Sequence, residues 1–193
     1  HIPLDVKKLG VDMLSASDHK FNGPIGFGFL YIIKGTAIRR YADGGSQEFG
    51  MRAGTENIAS IFAMALALRK NCEHINETET KLLKMEDLFF RTLEGSGIDF
   101  LRNGARKRIP GNISISIRGA NGEMLLHRMD LKGICISTGS ACNSVSAKIS
   151  HVIQAIDVPD EYAGGTIRIS FGKHNQESDA RAVASALIEI LRK

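Results

Sequence analysis

Four stretches of this chain combine residue types and neighbours that could do chemistry. The first is Ser17-Asp18-His19-Lys20-Phe21-Asn22-Gly23-Pro24-Ile25-Gly26. Glycines this close allow tight turns, and Pro24 fixes its own φ and removes a backbone donor, so Lys20 sits in a loop held in one shape. Desolvation at the end of such a loop frees a lysine amine as a Schiff-base nucleophile; a solvated surface charge is the other reading of a single lysine there. The second stretch runs from Gly44-Gly45-Ser46-Gln47-Glu48-Phe49-Gly50 through Met51-Arg52-Ala53-Gly54-Thr55-Glu56-Asn57 into an apolar run. With Thr55 as N-cap, free N–H groups and the positive end of a helix would face an anion such as phosphate, or the threonine would only cap the helix.

The third is Ser137-Thr138-Gly139-Ser140-Ala141-Cys142-Asn143-Ser144, one thiol among small polar residues with no apolar periodicity to bury it. That setting suits a nucleophile that must visit a substrate and then a partner, and the spacing is equally that of a surface cysteine without a role. The fourth is Arg168 in Thr166-Ile167-Arg168-Ile169-Ser170-Phe171. An arginine on a buried strand needs a carboxylate, either a local Asp or Glu or one brought by a ligand, and pairs with it through two parallel hydrogen bonds.

The positioning elements follow from periodicity. Leu4 to Leu9 reads as a short helix stopped at Gly10, Val11 to Ser15 as a strand delivering the lysine loop, and Phe27 to Ile33 as a buried strand. A helix is predicted from Ile58 to Asn76, and a charged amphipathic one from Glu73 to about Leu93. Short strands are predicted at Ile98–Leu101, Asn112–Ile117 and Ile134–Ser137. A helix at Asn121–Leu131 should pack through Met124, Leu125 and Met129, and an amphipathic helix from Gln176 to Lys193 should close the chain. A boundary near residue 75 separates 1–75 from a small α+β domain, 76–193.

The 193 residues are enough for a proper core, and 43% hydrophobic with 24% charged residues is a soluble globular composition. No apolar run is long enough to span a bilayer, and three cysteines without paired spacing fit a reducing cytoplasm rather than a disulfide framework. The net charge of +4 is mild. No metal site, nucleic-acid partner or membrane partner is expected.

Ser17-x-His19-Lys20 with Gly23-Pro24-x-Gly26 resembles the cofactor-lysine segment of the class-V aminotransferase-like enzymes that use pyridoxal phosphate (PLP). Within that group the chain is most similar to cysteine desulfurases of the NifS/IscS type. The Arg52-x-Gly54-Thr55-x-Asn57 and Ser137-x-Gly139-Ser140-Ala141-Cys142 segments match in the same order. Ser46, Phe49, Ile149 and Lys173 depart from the family pattern, standing where Gly, Arg, Pro and Arg are usual.

The resemblance implies an α/β architecture, the PLP-dependent fold type I, with the C-terminal part of its large domain (1–75) and the whole small C-terminal domain (76–193). A large N-terminal part of the family's enzymes precedes the segment matched here, so the chain reads as a C-terminal portion or as an unusually short homologue. It implies that Lys20 forms the internal aldimine with PLP, that Ser17 and His19 help to hold the cofactor, and that Thr55 reaches the cofactor phosphate of a neighbouring subunit in a homodimer. Arg168 would hold the α-carboxylate of L-cysteine, and Cys142 would take its sulfur as a persulfide, releasing alanine. The sulfur would pass to an acceptor protein, an iron–sulfur scaffold or a thiolation enzyme. The rival expectations are a related PLP enzyme such as a selenocysteine lyase, and a non-catalytic fragment that folds without holding PLP tightly.

Overall fold

The computed structural model describes residues 2–105, 107–138 and 149–192, in two compact units, Ile2–Ile75 and Asn76–Lys193. The second unit holds the core. Strands β3 (Phe100–Arg102), β4 (Asn112–Ile117) and β5 (Thr166–Ser170) form an antiparallel sheet in the order β3-β4-β5. Alternation puts Ile113, Ile115 and Ile117 of β4 and Ile167 and Ile169 of β5 on one face, all buried. Against that face pack helices α3 (Ile75–Glu94), α4 (Gly122–Asp130) and α7 (Glu177–Leu191). Helix α3 contributes Leu82, Met85, Phe89 and Leu93, spaced three and four apart and fully buried.

Helices α4 and α7 have clear start signals. The Asn121 side chain accepts from Met124 N at 3.0 Å. At α7, Gln176 N donates to Asp179 at 3.0 Å in a capping box, and that bond, with one from the Asn175 amide, holds the Asp179 carboxyl below its ordinary pKa. Of the three residues expected to pack from α4, Leu125 and Met129 are buried but Met124 is 41% exposed. The first two are four apart on one face, and Met124 is turned about 100° away from Leu125.

The segment expected as a strand at Ile134–Ser137 makes only an isolated bridge, Ser137 to Arg168. Cys135 is exposed and free rather than packed in a strand. Short helices α5 (His151–Ala155) and α6 (Asp160–Ala163) lie between α4 and β5 in the chain.

The unit Ile2–Ile75 is built differently. Helix α1 (Val6–Leu9) is capped by Asp5, whose carboxylate accepts from Lys7 N and Lys8 N, and stopped by Gly10 in the left-handed region. Strands β1 (Met13–Ser17) and β2 (Gly28–Ile32) pair antiparallel, Ser17 opposite Gly28 and Met13 opposite Ile32. The expected buried strand at Phe27–Ile33 is not buried: Leu30 is 51% exposed. No apolar side chain of this unit is buried, and its one fully buried side chain is that of Asp18. Helix α2 (Ile58–Glu73) is rich in alanine and apolar residues, yet Ile58 and Phe62 are exposed and none of its residues is buried.

The most consequential polar group in the core is Glu86 of α3. It is buried, accepts from Gly111 N at 2.8 Å with one oxygen and from Arg108 at 3.0 Å with the other, while Arg102 lies 3.5 Å over the Phe90 ring. Gly111 has φ 78°, and a β-carbon there would come within 2.8 Å of the Phe171 carbonyl, so the bond to Glu86 comes from a turn only glycine can make. Replacing Glu86 strands a buried N–H and a half-buried guanidinium. The variant Glu86→Ala is expected to lose about 3–5 kcal/mol of unfolding free energy, measured as a lower denaturation midpoint at unchanged slope.

Candidate active site

Strand β1 ends at Ser17, and the chain turns at once into a 3-10 helix, Asp18–Phe21, that carries His19 and Lys20. The lysine therefore stands on a helical turn rather than the loop read from the glycines. That turn is closed by one acceptor: the Asp18 carbonyl takes the N–H of Asn22, itself left-handed at φ 67°, and the N–H of Gly23 at 2.9 Å. Asp18 N donates to Phe27 O at 3.1 Å, tying the turn to the start of β2. The Asp18 carboxylate accepts from His19 N at 2.8 Å through Oδ1; its Oδ2 is buried and has no hydrogen-bond partner. Ser17 stands at the N-cap position, yet its hydroxyl makes no capping bond, since Asp18 takes the adjacent N–H.

The consequence is a turn whose polar side chains point outward. Ser17, His19 and Lys20 are all exposed, and Lys20 has no acidic partner among the described residues. A hydroxyl, an imidazole and an amine without a carboxylate partner, adjacent on one turn, form a donor set that fits a phosphorylated aromatic aldehyde. The amine can bond the carbonyl, and the other two can hold oxygens or lie against a ring. Gly28, opposite Ser17, cannot carry a side chain, because a β-carbon there would overlap the Ala16 carbonyl.

Thr55 is exposed in the loop before α2, and its hydroxyl has no partner among the described residues. It does not cap the helix as expected. The cap is Asn57, immediately before Ile58, whose side chain accepts from Ser60 N at 3.1 Å. An N-cap must adjoin the first helical residue to reach its orphan N–H groups, and Thr55 is three positions short of it. The loop bends through Gly44, Gly50 and Gly54, all at positive φ, and through Glu48 and Phe49, two non-glycine residues in the left-handed region.

Arg168 belongs to Asn76–Lys193, on the sheet face opposite Ile167 and Ile169. Its main chain is fixed on both sides: Ser114 of β4 pairs with it, and Ser137 exchanges two bonds with it, at 2.9 and 2.7 Å. Beside it, buried Asn103 donates to Ser114 (3.1 Å) and Ser116 (2.8 Å), and Ser116 shares a hydrogen with Thr166 (2.7 Å). The Arg168 guanidinium is half-buried and has no acidic partner among the described residues, so the internal ion pair that could have explained it is not formed there. Cys142 lies outside the described residues; Ser137, which opens its segment, is the residue bonded to the Arg168 main chain. The described residues contain no cluster of three or more metal-ligating side chains.

Three contributors went unnoticed in the sequence. Asp18 stands between Ser17 and His19 outside the residues that carry the motif, and an acidic residue inside a turn is its only sequence signal. Glu86 carried no signal apart from a helical position beside buried residues. Asn71, on α2, donates to Phe21 O at 2.6 Å and to Ala67 O at 2.7 Å; an asparagine inside an alanine-rich helix was the available cue.

Both the lysine turn of Ile2–Ile75 and the arginine strand of Asn76–Lys193 fall within a stretch shared with known proteins. Residues 1–183 match the model of the aminotransferase class-V family, and the chain belongs to that family. Over its whole length it is 44% identical to cysteine desulfurase IscS of Dictyoglomus turgidum, covering 49% of that protein. A NifS-like protein of known structure superposes with a TM-score of 0.85 at 33% identity, over 99% of this chain and 49% of its own. A second solved structure, SspA in complex with cysteine, does so with a TM-score of 0.65 at 29% identity, over 88% and 46%. The chain thus spans about half the length of the relatives it matches. Its fold is that of the NifS-like proteins, within the PLP-dependent fold type I.

The lysine turn tolerates no bulk at Gly23, where a β-carbon would lie 2.8 Å from the Asp18 β-carbon and 3.2 Å from the Asp18 carbonyl oxygen. The variant Gly23→Ala is expected to lose about 1–3 kcal/mol, with amide exchange at Asn22 and Gly23 accelerating before that of α3. Unchanged exchange at those two amides would show that the turn is not closed through Asp18.

Proposed function

We propose that this chain is the portion of a cysteine desulfurase that bears the cofactor lysine, the substrate arginine and the persulfide cysteine. Ile2–Ile75 is then part of the large PLP-binding domain and Asn76–Lys193 the small one. The observation that carries the reading is the Arg168 site. A rigidly held arginine with no acidic partner among the described residues is bonded through its main chain to Ser137, where the segment leading to Cys142 begins. Substrate binding is therefore assigned to Arg168 on the strand, and sulfur acceptance to Cys142, five residues beyond Ser137 in the sequence.

In this reading Lys20, with Ser17 and His19, would hold PLP, and the Lys20 amine, once the substrate amine has displaced it, would move the substrate α-proton. PLP, when bound, supplies an electron sink for the carbon from which that proton leaves. Arg168 grips the α-carboxylate of L-cysteine through two parallel hydrogen bonds, which fixes the direction of the substrate sulfur. The Cys142 thiolate takes that sulfur as the substrate C–S bond breaks, leaving a Cys142 persulfide, and alanine is released once its carbon is protonated.

Support comes from the family match, from the identity to an IscS cysteine desulfurase, and from the structural likeness to SspA in complex with cysteine. Thr55, with a free hydroxyl in a glycine-rich loop, is assigned to the phosphate of a second subunit's cofactor, which makes the working enzyme a homodimer. The sulfur goes on to an acceptor protein, an iron–sulfur scaffold or a thiolation enzyme. Cys72 and Cys135 are free and exposed, which fits a reducing compartment, the cytoplasm.

A second reading is favoured by one observation. Ile2–Ile75 buries no apolar side chain, so its lysine turn has no apolar wall of its own for a cofactor ring. In that reading the 193-residue chain folds but holds PLP weakly. Adding PLP to the purified chain and recording its visible absorbance separates the two. A band that is absent in Lys20→Ala and changes on adding L-cysteine is the expected result for the first reading; a folded protein with no band supports the second. In the active enzyme, Arg168→Lys should raise KM for L-cysteine by about 10- to 100-fold, the loss of a charge-assisted forked contact. An unchanged KM would remove Arg168 from the substrate site.

A further inference from the structure

The 3-10 helix under Lys20 is four residues long, and its C-terminal end needs an outside partner. The Phe21 carbonyl is that end. It receives the Asn71 side-chain N–H at 2.6 Å, and the second N–H of the same amide is fixed to Ala67 O at 2.7 Å, one turn back along α2. The Asn71 carbonyl oxygen in turn lies 3.4 Å from the Asn22 side-chain nitrogen. Both hydrogens of the amide are thus committed, one to its own helix and one to the residue that follows Lys20.

Asparagine inside a helix is unfavourable, because its side chain competes for backbone groups. Asn71 is the only asparagine in α2, in the sequence Ile58-Ala59-Ser60-Ile61-Phe62-Ala63-Met64-Ala65-Leu66-Ala67-Leu68-Arg69-Lys70-Asn71-Cys72-Glu73. A residue that breaks a local rule at such a place is explained by what it contacts, and here it contacts the lysine turn. We propose that Asn71 is a positioning residue for the Lys20 amine: it anchors the end of the turn to α2 and sets the orientation in which the lysine meets its cofactor.

The proposal rests on the reading that Lys20 bonds PLP, and its test keeps the two separate. Four forms of the full chain are compared: unsubstituted, Asn71→Ala, Asn71→Asp and Lys20→Ala. Asn71→Asp keeps the size and the acceptor oxygens but loses both donors, while alanine favours the helix, so α2 remains folded in at least one of the two. In cofactor-free protein, amide exchange at Asn22 and Gly23 should accelerate by about 3- to 10-fold in both Asn71 variants, the loss of one neutral hydrogen bond. With added PLP, the pH midpoint of the visible band should shift in both.

Exchange that does not change overturns the proposal. Faster exchange with an unmoved pH midpoint also overturns it, since Asn71 would then be only a tether between the turn and α2. A band that persists in Lys20→Ala defeats the cofactor-lysine reading and the proposal with it. A folded protein in which no form shows a band holds PLP too weakly for Asn71 to orient Lys20 toward it, which overturns the proposal and leaves the cofactor-lysine reading standing for the whole enzyme. A band lost in Lys20→Ala but identical in the Asn71 variants defeats the proposal alone.

Discussion

A single turn of 3-10 helix cannot hold itself in water. Fixing its dihedrals costs more than its one or two internal hydrogen bonds return, so its shape must come from bonds made to it. Under Lys20 those bonds converge on Asp18. Its carbonyl accepts from both Asn22 and Gly23, its N–H is tied to Phe27, and its carboxylate takes the His19 N–H. The arrangement leaves one carboxylate oxygen buried without a partner, a cost that most sites in a folded protein do not carry. Everything proposed for the lysine depends on this turn. The backbone beneath its side chain is fixed by the bond from Asp18 to Phe27 and by the Asn71 amide of α2.

The two units differ in where their free energy comes from. Asn76–Lys193 has a sheet with one apolar face, covered by three helices whose buried residues recur at three and four positions. Ile2–Ile75 has the same kinds of element, a hairpin and a long helix, but no buried apolar residue. Its order rests on hydrogen bonds and caps, Asp5 on α1, Asn57 on α2 and Asn71 on the turn. Leu30, Met13, Ile58 and Phe62 are exposed in it, and apolar surface of that extent is the kind that other polypeptide covers. The chemistry is placed accordingly. Candidate groups on the first unit sit on a turn and a loop, while Arg168 sits on a strand of the packed core.

This division explains what the sequence could and could not tell. Strand β4 was legible to the residue, and its period-2 alternation shows which side chains share the buried face. Helices α3 and α7 were legible for the corresponding reason at a period of 3.6. The lysine segment was legible as a motif, but its conformation was not: β1 runs on to Ser17, and the lysine is helical. Phe27 to Ile33 departs from the expected buried strand because a run of apolar residues reports what a strand could bury, whereas burial also needs a covering layer. Ile134–Ser137 was too short for periodicity to mean anything, and its one real contact, Ser137 with Arg168, is long-range. Asn71 and Asp18 were missed for the same reason. A local cue marks each as unusual, but their roles are contacts across dozens of residues or bonds to main chain, and the local pattern does not name those partners.

Arg168 shows how a fold can hold an arginine on a strand without giving it an acidic partner among the described residues. Strand alternation forces its side chain to the face away from Ile167 and Ile169, where a charged group is not driven into the core. Two neighbouring segments, β4 at Ser114 and the bridge at Ser137, hold its main chain from both sides. The nearby polar groups, Asn103, Ser114, Ser116 and Thr166, are hydrogen-bonded among themselves and to Ala163, and none of them is an anion. A cation whose surroundings are rigid, polar and uncharged gains most from an anion that arrives from outside. An internal carboxylate would have satisfied the guanidinium permanently and made it structural. Arg118, exposed on the same unit and bonded to Asp99 and Glu161, is that alternative, and those bonds hold its pKa above the ordinary arginine value. The contrast between these two arginines, rather than any property of Arg168 alone, is what supports the proposal that Arg168 takes the substrate carboxylate.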